Sequence, residues 1–103
     1  MYTEVLFLIA RRKMVDPNDP IPVLLTRAEV ALIRDETLYD EPESLIGVAE
    51  GSRVRLQLSP YDLEHLHGYV AAAANHTADR KLQSKLDRIL EKLNRLLEAL
   101  DWD

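Results

Sequence analysis

The sequence predicts an α+β domain, mostly helical, with a small β-sheet and a long amphipathic helix at the C-terminal end. Three observations carry that expectation. Leu82, Leu86, Ile89, Leu93, Leu96 and Leu100 are spaced 4, 3, 4, 3, 4, an unbroken a/d seam that only a helix lines up on one side. Residues 53–59, RVRLQLS, alternate strictly: Val54, Leu56 and Leu58 share one face, Arg53, Arg55 and Gln57 the other. That period of two is a half-buried strand. Between these segments, Ser59, Pro60 and Asp62 form a helix start: a capping hydroxyl, a proline where an N–H has no partner anyway, and an acid near the positive helix end.

Taken in order, residues 2–10 hold a dense Val-Leu-Phe-Leu-Ile run that suits a buried strand. Residues 16–22, DPNDPIP, hold three prolines and read as a loop, because each proline lacks an N–H and restrains its predecessor. A short apolar run then leads to Thr26, which with Glu29 has the spacing of a capping box, so a helix is expected from Arg27 to about Leu38. Its apolar residues face two ways, Ala28 and Leu32 against Val30 and Ile33, which predicts packing on two sides. YDEPES breaks it, and LIGVAEG reads as a turn region or a single helical turn. From Pro60, the buried stripe is Leu63, Leu66, Val70, Ala73 and Ala74, and Gly68 with the alanines leaves room for a close neighbour. Asn75 tolerates the left-handed conformation that ends helices, and Thr77 is the expected cap of the last helix, which runs to about Leu100. Leu90 and Leu97 widen its seam, and Glu91 with Arg95 has the favourable i,i+4 spacing. The strand-cap-helix pattern of residues 23–33 recurs at 56–66, as any strand-to-helix joint would make it.

A chain of 103 residues with 47% hydrophobic residues is one domain's worth, residues 1–103, with a single aliphatic core. It has no cysteine, which excludes disulfides, thiolate metal sites and a cysteine nucleophile. The longest apolar run, Val5 to Ala10, falls far short of the roughly 20 residues that span a bilayer. Its basic neighbours Arg11, Arg12 and Lys13 follow it instead of preceding it, which is wrong for a secretion signal. No membrane contact and a cytoplasmic location are expected. The net charge is −5, and the first half carries all of it: residues 1–52 hold 5 Lys/Arg and 10 Asp/Glu, residues 53–103 hold 8 of each. The excess centres on RDETLYDEPE. Such a chain is poorly suited to broad, non-specific nucleic-acid binding.

Catalytic chemistry has little to stand on. The serines lack a nucleophile-elbow setting, and three scattered glycines make no phosphate loop, so no enzyme and no cofactor is expected. For metals, Glu64 with His67, and His76 with Asp79, have the i,i+3 spacing of helical ligands, but no second Glu-x-x-His motif completes a di-metal site. His67 at the stripe's edge is expected to be a hydrogen-bonded core-edge histidine. The polar corner Asn75, His76, Thr77 and Asp79, with His67, is the candidate functional cluster; Asn75 is expected to end one helix, Thr77 to start the next, and Asp79 to sit where the helix N-terminus favours negative charge.

Two resemblances add expectations. From Arg53 to Leu100, the strand, Ser-Pro-capped helix, Asn-x-Thr corner and second helix resemble the ribbon-helix-helix proteins. That likeness implies a two-chain ribbon in the DNA major groove, with Arg53, Arg55 and Gln57 as base-reading side chains. The acidic first half and the long last helix depart from that pattern. AAAANHTADRKLQSKLD, with LTRAEVALIRDETL upstream, is similar to segments of small bacterial proteins, which implies a bacterial cytoplasmic origin and carries no activity, cofactor or site.

The leading expectation is therefore a non-enzymatic interaction module that self-associates, as dimer or tetramer, through Leu82, Leu86, Ile89, Leu93, Leu96 and Leu100. Residues 82–100 span roughly 28 Å as a helix, long enough in so small a chain for part of the stripe to meet a partner. A DNA-binding regulator is the alternative, and a metal-dependent protein comes third.

Overall fold

A computed structural model describes residues 20–100. The elements are β1 Ile21–Thr26, α1 Arg27–Glu36, a 3-10 turn Pro42–Leu45, β2 Val48–Glu50, β3 Arg53–Leu58, α2 Pro60–His76 and α3 Arg80–Ala99. The fold is α+β, with a three-stranded antiparallel sheet of order β1-β3-β2 and a long C-terminal helix. The strand expected at residues 2–10 lies outside the described residues.

The alternation of β3 decides how the sheet packs. Val23 pairs with Leu56 and Leu25 with Val54, so one face collects Val23, Leu25, Leu56 and Leu58, all buried. All three helices close over it: Val30 and Ile33 from α1, Leu63, Leu66 and Val70 from α2, and Leu86, Ile89 and Leu93 from α3 make one aliphatic core with Tyr39 and Leu45. Each leucine taken fully out of water contributes about 2 kcal/mol, and this cluster holds most of the fold's stabilisation. The two-sided packing expected for α1 holds only in part: Val30 and Ile33 are buried and Leu32 packs on the core's edge, but Ala28 is exposed; Glu29 reaches Lys92 of α3 at 2.7 Å.

Helix starts follow the predicted chemistry. Thr26 and Glu29 make the full capping box, Glu29 N–H donating to Thr26 Oγ1 at 3.0 Å and Thr26 N–H to Glu29 Oε1 at 2.8 Å. Ser59 Oγ accepts from Asp62 N–H at 3.1 Å, with Pro60 at the first helical position.

Four local expectations need correction. The proline loop ends earlier than expected, because Pro22 sits within β1; among the described residues β1 is an edge strand, where a missing N–H costs no ladder bond. LIGVAEG is no helical turn, since Val48–Glu50 pairs with β3 through the tight turn Gly51-Ser52. Gly51 has φ 66 and is the only described residue in the left-handed region, as the first central position of a type II′ turn requires. Helix α1 stops at Glu36, where Thr37 turns extended and donates its hydroxyl to Ile33 O at 2.7 Å. Finally, Gly68 brings no neighbour close: it is exposed, and a Cβ there would meet nothing within 4 Å. Gly68→Ala should therefore raise stability by about 0.5–1 kcal/mol, by removing helix-interior glycine entropy. A thermal melt checks it, and a lowered midpoint would mean that α2 needs the glycine.

Candidate functional site

The polar corner between α2 and α3 is occupied with ending one helix and starting the next. Asn75 and His76 are the last residues of α2, Thr77 caps its C-terminal end in extended conformation, and Thr77 N–H donates to Ala73 O at 3.1 Å. Asn75 is thus helical, not left-handed. The cap of α3 is Asp79, not Thr77. Its Oδ1 accepts from Lys81 N–H at 2.9 Å and Leu82 N–H at 3.2 Å, while Asp79 N–H donates to Thr77 Oγ1 at 3.1 Å. Asp79 wins because a carboxylate answers two orphan donors and opposes the helix dipole, whereas Thr77 is engaged in ending α2. His76 is engaged as well. Its Nδ1 lies 2.7 Å from Ala72 O, so Nδ1 carries the proton and donates to the carbonyl one helical turn back. His67 is no part of this corner, being roughly 13 Å earlier along α2. Its Nε2 is buried without a hydrogen-bond partner, contrary to the satisfied core-edge histidine expected.

The leucine seam is used largely inside the chain. Leu86, Ile89 and Leu93 are wholly buried against the chain's own core, because α2 returns antiparallel along α3 through the three-residue corner. Only Leu82, Leu96 and Leu100 of the expected interface keep partial exposure, with Leu90 and Leu97 beside them. The strand residues expected to read DNA are exposed on the sheet's outer face as their alternation demanded. Both edges of β3 are nevertheless occupied, by β1 and β2, so β3 has no edge to give a two-chain ribbon. Arg55 is further held by Glu50 at 2.9 Å.

Two features without a counterpart in the sequence patterns lie side by side along α2. The first is an open groove of about 590 Å³ between the end of α1 and the last turns of α2. Ala72, Ala73 and Leu82 line its apolar part, Tyr69 and His76 its flank, and Asp35 with Glu36 its rim. Leu38 also lines it, with 86% of its surface exposed. The second is a cluster where the loop after α1 meets the first half of α2. His65 Nε2 lies 3.2 Å from Asp40 Oδ1 and 3.4 Å from Glu41 Oε2. Tyr39 and Tyr69 stand around the imidazole with ring centroids at 5.9 and 5.0 Å, and Tyr69 OH reaches Asp40 Oδ2 at 3.5 Å. Tyr69 belongs to both features.

Tyr39 anchors the loop. Ser44 donates its hydroxyl to Glu41 O at 2.8 Å, so at the 2.6 Å contact between the two hydroxyls Tyr39 is the donor. Burial raises the Tyr39 hydroxyl above its usual pKa of 10.0; the Ser44 bond acts in the opposite direction, and the negative charges of Glu41, Asp62 and Asp40 add to the rise. A raised pKa in the folded state means the stabilisation is complete below pH 10 and is lost as pH climbs through the folded value. Alkaline unfolding of the native chain should therefore include a Tyr39 component that Tyr39→Phe lacks. Parallel pH melts above pH 10 check this, and superimposable slopes would count against it.

Among the described residues, no helix is long and apolar enough to cross a membrane. Comparison with protein-family models, curated proteins and solved structures gives no match to this chain.

Proposed function

We propose that the protein is a non-enzymatic interaction module that seats a basic, amphipathic segment of a partner protein in the groove between α1 and α2. The observation that carries this reading is Leu38: a leucine left 86% exposed at the lip of an apolar groove rimmed by Asp35 and Glu36. An apolar floor holds a partner's apolar face, and the acidic rim of a chain with net charge −5 favours lysine and arginine beside it.

Self-association is the second reading. It is favoured by the half-buried Leu96, Leu97 and Leu100 at the far end of α3, which keep apolar surface outside the core.

A synthetic Lys/Leu amphipathic peptide tests the first reading by NMR. Amide shifts should concentrate at Tyr69, Ala72, Ala73 and His76, weaken as salt rises, and vanish in Leu38→Asp. That variant itself should stay within about 0.5 kcal/mol of the native stability, since it changes an exposed position. Shifts scattered over the surface, or unaffected by Leu38→Asp, would discard the groove. Light scattering across a dilution series bears on the second reading, and a monomer at every concentration removes it.

A further inference from the structure

We infer that Asp40, Glu41 and His65 form a binding site for one divalent transition-metal cation of the zinc class. Among the described residues this is where three metal-ligating side chains converge, each offering one donor atom within 4.8 Å of the others. The separations match what a metal imposes. Around a cation with bonds of about 2.1 Å, neighbouring donors stand about 3.0 Å apart in octahedral geometry and about 3.4 Å in tetrahedral geometry. Nε2 of His65 is 3.2 Å from the Asp40 oxygen and 3.4 Å from the Glu41 oxygen.

Charge points the same way. Among the described residues Asp40 and Glu41 have no lysine or arginine within ion-pair reach; the basic side chain beside them is His65. Nε2 of His65 meets the Asp40 carboxylate as a hydrogen-bond donor at 3.2 Å, so a cation bound there displaces that proton. A metal ion supplies the missing charge and takes all three donors in their deprotonated forms.

The surroundings hold the donors in place. The rings of Tyr39 and Tyr69 stand edge-on or tilted against the imidazole and restrict its rotation. Tyr69 OH contacts the Asp40 oxygen that does not face His65, an outer partner that orients a ligating carboxylate. One nitrogen and two oxygens select a borderline cation such as zinc; magnesium and calcium prefer oxygen alone. The side chains are 41–62% exposed, so water completes the coordination. Its consequence is mechanical: the metal staples the loop after α1 to α2, beside the groove but independent of what the groove binds.

Calorimetric titration of the chelator-treated full chain with zinc chloride tests the assignment, alongside the imidazole resonances of the three histidines. The expected result is one zinc per chain with a dissociation constant near or below about 10 μM. His65 resonances should move while those of His67 and His76 stay. His65→Gln and Asp40→Asn should each weaken binding at least tenfold with an unchanged circular dichroism spectrum. Tyr69→Phe should weaken it by about tenfold, the low end for an outer partner. At zinc a hundredfold above the dissociation constant, the melting temperature should rise by about 10 °C. Binding no tighter than millimolar, equal affinity in His65→Gln, or shifts at His67 or His76 in place of His65 would each overturn the site.

Discussion

Leu93→Glu should unfold the single chain, not separate two of them. Leu93 is wholly buried in the core shared by the sheet and all three helices. Truncation alone, Leu93→Ala, removes most of a buried side chain and leaves a cavity, at a cost of about 2–5 kcal/mol. A domain of this size has only about 5–15 kcal/mol to lose. Glutamate adds the burial of a carboxyl with no partner in an aliphatic core, a further penalty of several kcal/mol whether it is charged or neutral. The helical circular dichroism of Leu93→Glu should collapse at room temperature, and Leu93→Ala should remain folded with a much lower urea midpoint. Leu96→Glu, at a half-buried position, should stay folded. A Leu93→Glu chain that kept its spectrum and only lost mass in light scattering would return the seam to a partner chain.

Gly47→Ala should cost about 2 kcal/mol, a large effect for one methyl group, because its Cβ would overpack a fixed neighbour. Gly47 precedes β2, and its backbone lies against the central strand. A Cβ there would stand 2.8 Å from the Arg55 carbonyl carbon and 3.0 Å from Leu56 Cδ2, and nearer still to the Arg55 carbonyl oxygen. Gly47 does not have positive φ, so the cost is steric. Arg55 is in register with Val48, and β2 has only three such pairs with β3. The two nearest hindering atoms are backbone of β3, which cannot retreat without disturbing its ladder with β1 as well. Such overpacking costs on the order of 1–3 kcal/mol. Urea melts measure the loss, and hydrogen exchange should show amides of Val48–Arg55 losing protection first. A change below about 0.5 kcal/mol, the range of an ordinary surface substitution, would mean that the loop before β2 yields freely. Gly68, with open space around its missing Cβ, is the control of opposite sign.

Much of the architecture is written in local chemistry. The capping box at Thr26, the Ser59-Pro60 start, the alternation of β3 and the 3-4 spacing of α3 are short-range patterns, and each produced the element it predicts. Where two local signals competed, the expectation of a Thr77 cap gave way to Asp79. Thr77 and Asp79 are both good caps, and which one serves depended on Thr77 being needed to end α2. Val48–Glu50 carries no alternation of its own, all three residues being exposed; it is a strand because β3 offers an edge across a two-residue turn. The seam was legible as a helix but not as an interface, since periodicity says that an apolar face is covered and not by what. The cluster of Asp40, Glu41 and His65 was invisible for a simpler reason: the acids and the imidazole are 25 and 24 positions apart and meet only because α1 and its loop fold back on α2. One signal was present, the acid-rich stretch after α1 without matching bases.

The central place of β3 has a consequence for how the chain is made. Val23, Leu25, Val30 and Ile33 belong to the first described strand and helix, yet among the described residues β1 pairs with β3 alone. At about 5–20 residues per second, residues 27–52 take the ribosome roughly one to five seconds to add. During that interval an apolar strand edge waits for its neighbour, and the helices that seal the core come later still. Vectorial synthesis thus leaves the early half of this small protein open to holdase chaperones for seconds, while α2 and α3, joined by three residues, pair almost as soon as they emerge.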